Sequence, residues 1–367
     1  MSVKNNDHVP WIEKYRPQKL TELTQDNSLV SMFKKCLETK EITHLLLHGP
    51  PGTGKTSAIQ ALGRELFGEF YKDRIIEFNA SDDRGINAVR EKITNHAKKF
   101  VSEERTSTGD MVPPYKIIIL DEADSMTEEA QDALRVIIEE SSKVTRFCFI
   151  CNYITKITDA IKSRCTAIYF KRLEYKCMYD KLKEISVMEN MKLSTEILNT
   201  IIDVVNGDMR KAIMLLQNLK YLYKNKEIYG KKFSDFTQAE MKYLNYMVFD
   251  KYFSKEVTIN DIYKLAGLLP LSTINKIIDK AHSSENYHFL CRLTKNIIGL
   301  GYPVDNILNQ LNNCILERTD INDVHKSKIF IAAGNILYRI KDGSNESIQL
   351  LHMLSVINGV MNNNPIY

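Results

Sequence analysis

No stretch of the 367 residues approaches the roughly 18 consecutive apolar residues that a membrane-spanning helix needs. The first ten residues, MSVKNNDHVP, have no apolar region, so no secretory signal is expected. Cysteine is sparse and odd in number: seven residues are scattered along the chain. That distribution suits a reducing compartment and argues against a disulfide framework. Charge of one sign is also lacking. Fifty Lys+Arg against 46 Asp+Glu leave a formal net charge of +4. So small an excess is no argument for nucleic acid; only a local basic surface would be. There is no internal repeat and no long low-complexity segment. What remains is an ordinary globular composition, 44% hydrophobic and 26% charged, which excludes a disordered or collagenous chain. The length suggests roughly two to three domains.

The first half alternates short β-branched runs with helical patterns. His44–His48, Arg74–Asn79, Lys116–Leu120, Thr145–Cys151 and Ala167–Phe170 read as strands. Helices are expected over about Lys55–Phe67, Gly85–Val101 and from the cap Thr127 to about Glu140. Strands alternating with helices predict a parallel sheet covered on both faces, and near-continuous apolar strands fit that burial. Ser102–Asp110 reads as an exposed polar loop. After about Lys171 helical periodicity dominates. It runs from Tyr175 to Tyr223 with a break at Asn206-Gly207-Asp208, followed by a linker-like stretch, Lys224–Phe233. From about Gln238 to Ile357 the chain reads as amphipathic helices; the last, near Ser344–Asn362, carries Ile348, Leu351, Val356, Ile357 and Val360 on overlapping faces.

Residues 49–56, GPPGTGKT, form a complete G-x-x-x-x-G-K-[ST] between an expected strand and an expected helix. A phosphate group needs many donors and no crowding Cβ atoms. Gly52 and Gly54 let backbone N–H groups turn inward around an anion, and the helix N-terminus adds partial positive charge. The candidate cradle is Gly49, Pro50, Pro51, Gly52, Thr53, Gly54, Lys55, Thr56 and Ser57. Lys55 would reach the β- and γ-phosphates and the Thr56 hydroxyl would ligate Mg²⁺.

Residues 117–124, IIILDEAD, are an apolar strand ending in carboxylates, the second half of such a site. Asp121 would hold Mg²⁺ through water, and Glu122 would polarise the attacking water. Together the two motifs point to ATP or GTP binding and to hydrolysis. A nucleoside monophosphate kinase would share the first motif but has no need of the second. Asn152, after the fourth strand, is placed to sense the γ-phosphate or orient water, although a strand-end amide is more often a turn former. Arg164, in Ser163-Arg164-Cys165, is a candidate arginine finger, and Arg210 opens a helix after Asn206-Gly207-Asp208. Taken singly, each arginine is more simply a solvated charge; their order along the chain changes that weighing. Cys148 and Cys151 lie three apart on an expected strand, so their thiols point to opposite faces and cannot share a zinc. They read as buried core thiols.

The ordered set resembles the AAA+ ATPases, and more narrowly the small subunits of replication factor C, the sliding-clamp loader. The resemblance rests on residues 9–17 (VPWIEKYRP), 78–86 (FNASDDRGI), 117–127 (IIILDEADSMT), 145–153 (TRFCFICNY), 163–165 (SRC) and 207–212 (GDMRKA), in the family's order and spacing. It is strong from residue 8 to about 220 and only generally helical beyond 224. It implies an α/β AAA+ P-loop ATPase core with a parallel sheet (1–171), a helical lid domain (172–232) and an all-α collar for oligomerisation (233–367).

By position, Val9 and Arg16 would contact adenine and phosphates, Arg210 would be the second sensor, and Arg164 would act in trans on ATP held by a neighbouring subunit. The family forms a five-subunit spiral, an open heterologous arrangement that completes sites across interfaces. Arg84 and Arg90 would face the backbone of primer–template DNA, in a salt-dependent and sequence-independent manner. Ile93, Phe100 and Val101 are candidates for the clamp-facing surface and equally for the core. One position departs from the family: Val136 stands where a second basic residue is common.

The implied function is an ATP- and Mg²⁺-dependent clamp-loader subunit. Its partners would be other loader subunits, the clamp and primed DNA, in the nucleus of a eukaryote or otherwise wherever DNA is replicated. Two alternatives stay open at this point: another AAA+ DNA-remodelling motor, and a non-hydrolysing scaffold subunit of the loader.

Overall fold

A computed structural model describes residues 9–80, 93–98, 104–105, 107, 109, 111–191, 193–228, 257–284 and 286–362. Five strands form one sheet: β1 (Leu45–His48), β2 (Ile75–Asn79), β5 (Lys116–Asp121), β6 (Thr145–Cys151) and β7 (Thr166–Tyr169), in the order β2-β5-β6-β1-β7. Every pairing within it is parallel. The other two strands, β3 (Glu104–Arg105) and β4 (Met111–Val112), pair with each other, antiparallel. They give a short ladder to a segment whose polarity suggests only a loop.

The strand residues divide between two apolar layers by the period of two that a pleated strand imposes. Leu45, Leu47, Ile117, Ile119, Cys148 and Ile150 face one layer, with Ala58, Ile59, Leu62 and Phe67 from the helix Lys55–Phe67 and Phe33 from Asn27–Thr39. Leu46, Ile118, Leu120, Phe147, Phe149 and Cys151 face the other, with Leu134, Ile137 and Ile138 from the helix Glu128–Ser141. Both faces are therefore covered, as a parallel sheet requires. Cys148 and Cys151 fall in different layers. Burial raises both thiols, Cys151 to about 11 and Cys148 well above its ordinary value. Among the described residues no group of three His, Cys, Asp or Glu is arranged to hold a metal ion.

Helices follow at Tyr175–Met188, Thr195–Val205 and Met209–Ile228. The break at Asn206 is as expected: Asn206 and Gly207 both have positive φ, 49° and 86°. A second break, at Glu189–Ser194, interrupts what periodicity alone makes continuous. Asn190 adopts φ 56° and the Ser194 side chain caps the next helix through the Ile197 N–H. The third helix also runs on through Ile228, so the linker expected from Lys224 begins inside a helix.

The chain divides into two compact units, Met1–Lys220 and Tyr221–Tyr367. The second unit is helical: Ile259–Leu265, Leu271–His282, Tyr287–Ile298, Val304–Glu317, Asp323–Lys341 and Glu346–Met361. Its last helix is central and packs on the four helices Leu271–His282, Tyr287–Ile298, Val304–Glu317 and Asp323–Lys341. Val356, Ile357 and Val360 are buried in it, whereas Ile348 is 63% exposed and Gln349 takes the inward position beside Leu350. No helix among the described residues is long and apolar enough to cross a membrane.

Candidate active site

In an open parallel sheet the ligand crevice lies beyond the carboxyl ends of the strands, where neighbouring crossovers part. Here that edge is formed by the ends of β1, β5 and β6. The turn after β1 is built on positive-φ glycines: Gly49 at 140°, Gly52 at 71° and Gly54 at 89°. Gly52 and Gly54 serve different ends. A Cβ on Gly54 would meet nothing within 4 Å, so its φ alone calls for glycine, and its open side leaves room for an anion. A Cβ on Gly52 would lie 1.8 Å from Asp208 Oδ1. That glycine lets the start of the helix Met209–Ile228 dock on the loop, where the Met209 N–H donates to Gly52 O at 3.2 Å. Asp208 Oδ1 in turn accepts from the Lys211 N–H at 3.1 Å and caps that helix.

Lys55 begins the helix Lys55–Phe67 and is only 7% exposed. Its ammonium donates to Gly49 O (2.7 Å), Pro50 O (2.8 Å) and Asn152 Oδ1 (2.9 Å), which satisfies all three protons. Burial lowers its pKa, and the Asp121 carboxylate opposes that shift. The Thr56 hydroxyl donates to Asp121 Oδ2 at 2.9 Å, which joins the two sequence motifs at one point. Asp121 Oδ1 accepts from the Glu122 N–H at 2.9 Å. Glu122 itself has φ 55°, a left-handed conformation that costs a residue other than glycine on the order of 1–3 kcal/mol. Such strain collects where a side chain must be aimed.

One carboxylate is in the motif but was given no role by the sequence reading. Asp124 Oδ2 accepts from the backbone N–H groups of Asn152 and Tyr153, both at 3.3 Å. It thus ties the end of β6 to the turn after β5 and sets Asn152 against Lys55.

The cleft over the loop is lined by Arg16, Pro51, Gly52, Thr53, Gly54, Lys55, Thr56, Ser57, Asp121, Glu122, Asn152 and Arg210. These candidates, far apart in sequence, come together in one place. Their neighbours in the lining are Ile12, Tyr15, Pro17, Leu23, Thr24, Gln25, Ile150, Cys151, Leu173, Met209 and Ile213. Ile12, Leu23, Leu173, Met209 and Ile213 give it an apolar side. Gln25 holds the loop by donating to Thr53 O at 2.6 Å. Of these, Ile12, Tyr15 and Pro17 had a signal through the box they share with Arg16, Ile150 and Cys151 through residues 145–153, and Met209 through residues 207–212; the others had none.

Two candidates lie apart. Val9 is 38% exposed and does not line the cleft. Arg164 does not line it either. Its Nε donates to Glu139 Oε1 at 2.9 Å, and its Nη1 to Ala160 O at 2.8 Å. Arg84, Arg90, Phe100 and Val101 lie outside the described residues. Ile93 is fully buried, packed in the layer with Leu120 and Phe147, which removes it from any docking surface. Val136 is 42% exposed on the helix Glu128–Ser141.

Three family models match this chain. The "ATPase family associated with various cellular activities (AAA)" model covers residues 45–173. The "RCF1/5-like, AAA+ ATPase lid domain" covers 180–220, and the "Replication factor C C-terminal domain" covers 269–356. The putative replication factor C small subunit of Acanthamoeba polyphaga mimivirus is 55% identical over 358 residues, 97% of this chain and 98% of that one. Replication factor C subunit 4 of Homo sapiens is 39% identical over 95% of this chain and 88% of its own length. Replication factor C subunit 2 of Schizosaccharomyces pombe is 37% identical over 96% and 94%. With a P-loop, an acidic strand end and a lid on one parallel sheet, and with relatives that match from end to end, the chain belongs to the replication factor C small subunits, a family of AAA+ clamp-loader ATPases.

Proposed function

We propose that this chain binds ATP with Mg²⁺ in the cleft over residues 49–57 and hydrolyses it as one subunit of a multi-subunit loader that places a ring-shaped clamp on primer–template DNA. The observation that carries the reading is the meeting of Lys55 with Asn152 and of Thr56 with Asp121 at the ends of β1, β5 and β6. The residues fit such a ligand. Gly54 leaves an open, Cβ-free side, and the Asp121 carboxylate beside the Thr56 hydroxyl suits Mg²⁺, which takes its other ligands from water and phosphate oxygens.

When bound, Mg²⁺ neutralises charge on the phosphates and helps to fix their geometry. The backbone N–H groups of the loop and the Lys55 ammonium bind the phosphate oxygens in a site where the ammonium is already held by Asn152. Glu122 orients and polarises the attacking water. Arg16 and Arg210 both line the cleft and balance phosphate charge. Ile12, Leu173, Met209 and Ile213 offer the apolar surface a base needs.

Arg164 acts in trans. Its absence from the lining of its own cleft and its anchoring by Glu139 and Ala160 support presentation to a neighbouring subunit. Arg84 and Arg90 contact the DNA backbone. The working division is an ATPase domain over 1–171, a lid over 172–232 and an oligomerising domain over 233–367. The site of action is wherever DNA is replicated, the nucleus if the source is eukaryotic.

ATP turnover by the purified chain tests this reading, alone and then with candidate partner subunits, clamp and primed DNA, beside Arg164→Ala. Low activity alone, raised by clamp and primed DNA and lost in Arg164→Ala assemblies, is expected. Turnover indifferent to the clamp but driven by branched or duplex DNA would transfer the chain to another motor class. ATP binding without turnover in any assembly would make it a scaffold subunit.

A further inference from the structure

The opening segment and the lid both line the nucleotide cleft. Ile12, Tyr15 and Arg16 line it from the segment; Met209, Arg210 and Ile213 line it from the first turns of the helix Met209–Ile228. The two segments are joined by one carboxylate that does not itself line the cleft. Glu189 caps the end of the helix Tyr175–Met188, and its side chain is only 5% exposed. Its Oε1 accepts from Lys14 Nζ at 2.5 Å and from the Tyr15 hydroxyl, and its Oε2 pairs with Lys220 Nζ. Lys14 and Tyr15 belong to the opening segment, and Lys220 lies on the same helix as Met209, Arg210 and Ile213. The connection is doubled next to it: the Trp11 N–H donates to Gln217 Oε1 at 3.2 Å, and the Lys220 ammonium sits 5.3 Å from the centre of the Trp11 ring.

A buried carboxylate with three donors from two segments makes a poor surface ornament. Burial alone would raise its pKa; the hydrogen bonds from Lys14, Lys220 and Tyr15 override that and hold it at about 2. Lys14 is correspondingly raised, and the Tyr15 hydroxyl is pushed up to about 12, first by burial and then by the Glu189 bond.

We propose that Glu189 is a positioning residue for the nucleotide: it latches the opening segment to the lid, so that Arg16 and Arg210 close on one ligand as a single body. The latch rests on the reading that this cleft binds ATP. Its consequence is that loss of Glu189 weakens nucleotide binding without touching the groups that do the chemistry. The freed segment must then be ordered at the expense of binding energy.

The chain carries its own reporter, because Trp11 is its single tryptophan and lies against the latch. In the full-length protein, Glu189→Gln should shift Trp11 emission to the red before any nucleotide is added. A direct MgATP isotherm should then show a Kd raised about tenfold, while kcat at saturating ATP changes less than about twofold in the assembled complex. Glu189→Asp should recover part of the affinity. Lys14→Met and Lys220→Met each remove one donor and keep the carboxylate; they should give smaller shifts of the same sign, and they carry the test if Glu189→Gln does not fold. An unshifted Kd in a folded Glu189→Gln chain overturns the latch, even if its melting temperature falls, since a purely structural pair would move only the latter. A wild-type chain that binds no MgATP overturns the reading of the cleft instead; the Trp11 shift then still reports on the contact itself.

Discussion

The interior of the α/β unit carries charge, at the loop after β1 and also at the N-terminal ends of β2 and β5. Lys55, Asp208 and Arg74 are all buried in the α/β unit, alongside Thr53, Gln60 and Lys116. The helical unit buries Leu, Ile, Val and Met, with Thr294, Gln310 and Gln349 as its buried polar residues among those described. Gln310 is neutralised locally by a reciprocal pair with the backbone of Leu269, at 3.0 and 2.8 Å. Buried charge opposes folding unless it is paired, so a chain keeps it where chemistry requires it. An apolar helical core answers only to volume and pattern. The two units should therefore fail in different ways when altered.

The sharpest contrast comes from Lys55→Met. The side chain keeps its length and loses a desolvated charge, so ATP turnover should fall by about a thousandfold. The melting temperature should stay level or rise, because burial already disfavours the ammonium. Steady-state turnover and calorimetry on the same sample check both halves. A variant that keeps activity, or loses it only by unfolding, would erase the distinction drawn here.

The reverse experiment belongs to Leu308, fully buried on the helix Val304–Glu317 within the C-terminal core. Leu308→Ala should lower stability by about 2–5 kcal/mol. Below the transition, the MgATP Kd of the isolated chain should stay within about twofold of wild type, as expected when the substitution falls in a separate compact unit. Denaturant melts beside a nucleotide isotherm would show it.

These two regions were also unequally legible before the structure. β5 and β6 could be read almost to the residue because parallel strands buried on both faces are apolar without interruption. Gly52, Gly54 and Lys55 were legible because phosphate binding leaves few residues that fit. Asp124 was visible as part of a motif, yet its hold on Asn152 and Tyr153 depends on the sheet bringing β5 beside β6. Glu189 meets Lys14 across 175 positions, and no local pattern marks it. The break at Asn190 was missed because the flanking segments are both helical and both amphipathic. In the helical unit, periodicity announced helices but left the inward angle open by about one residue.

A pH series compares the units by a milder route. His44 Nδ1 accepts from the Phe147 N–H at 3.1 Å, a bond only the neutral ring can make. Burial, and then the Arg146 charge, lower its pKa from 6.5 to about 4. The folded value lies below the unfolded one, so between them the unfolded chain binds the proton first. Stability is intact above about pH 6.5 and falls as pH drops towards 4, by at most about 3 kcal/mol. Glu189 extends the loss from about 4.5 down to about 2, since its folded pKa is depressed. Among the described residues of the helical unit, the shifted groups are Tyr287 and Cys314, which titrate in alkali. Acid unfolding should therefore begin in the α/β unit. Hydrogen exchange followed from pH 7 to 4 would show protection lost first in β1 and β6; first loss in Glu346–Met361 would refute it.

The smallest effect is expected at Ile348, and it tests how far pattern alone can be trusted in the helical unit. Counting by 3.6 residues, Ile348 shares a side with Leu351, and an apolar pair at that spacing reads as core. In the structure the inward stripe is instead Leu350, Met353, Leu354, Ile357 and Val360, and Gln349 is drawn in while Ile348 stands 63% exposed. The reason is that this helix packs on four neighbours, so its buried arc is wide and its exposed arc narrow; Ile348 falls in the narrow one. Ile348→Ser removes little buried area and should change stability by less than about 0.5 kcal/mol, whereas Ile357→Ser, one shared stripe inward, should cost several times more. Equal losses at the two positions in thermal melts of the isolated chain would mean that Ile348 is covered and that the helix is turned by about one residue from the orientation described.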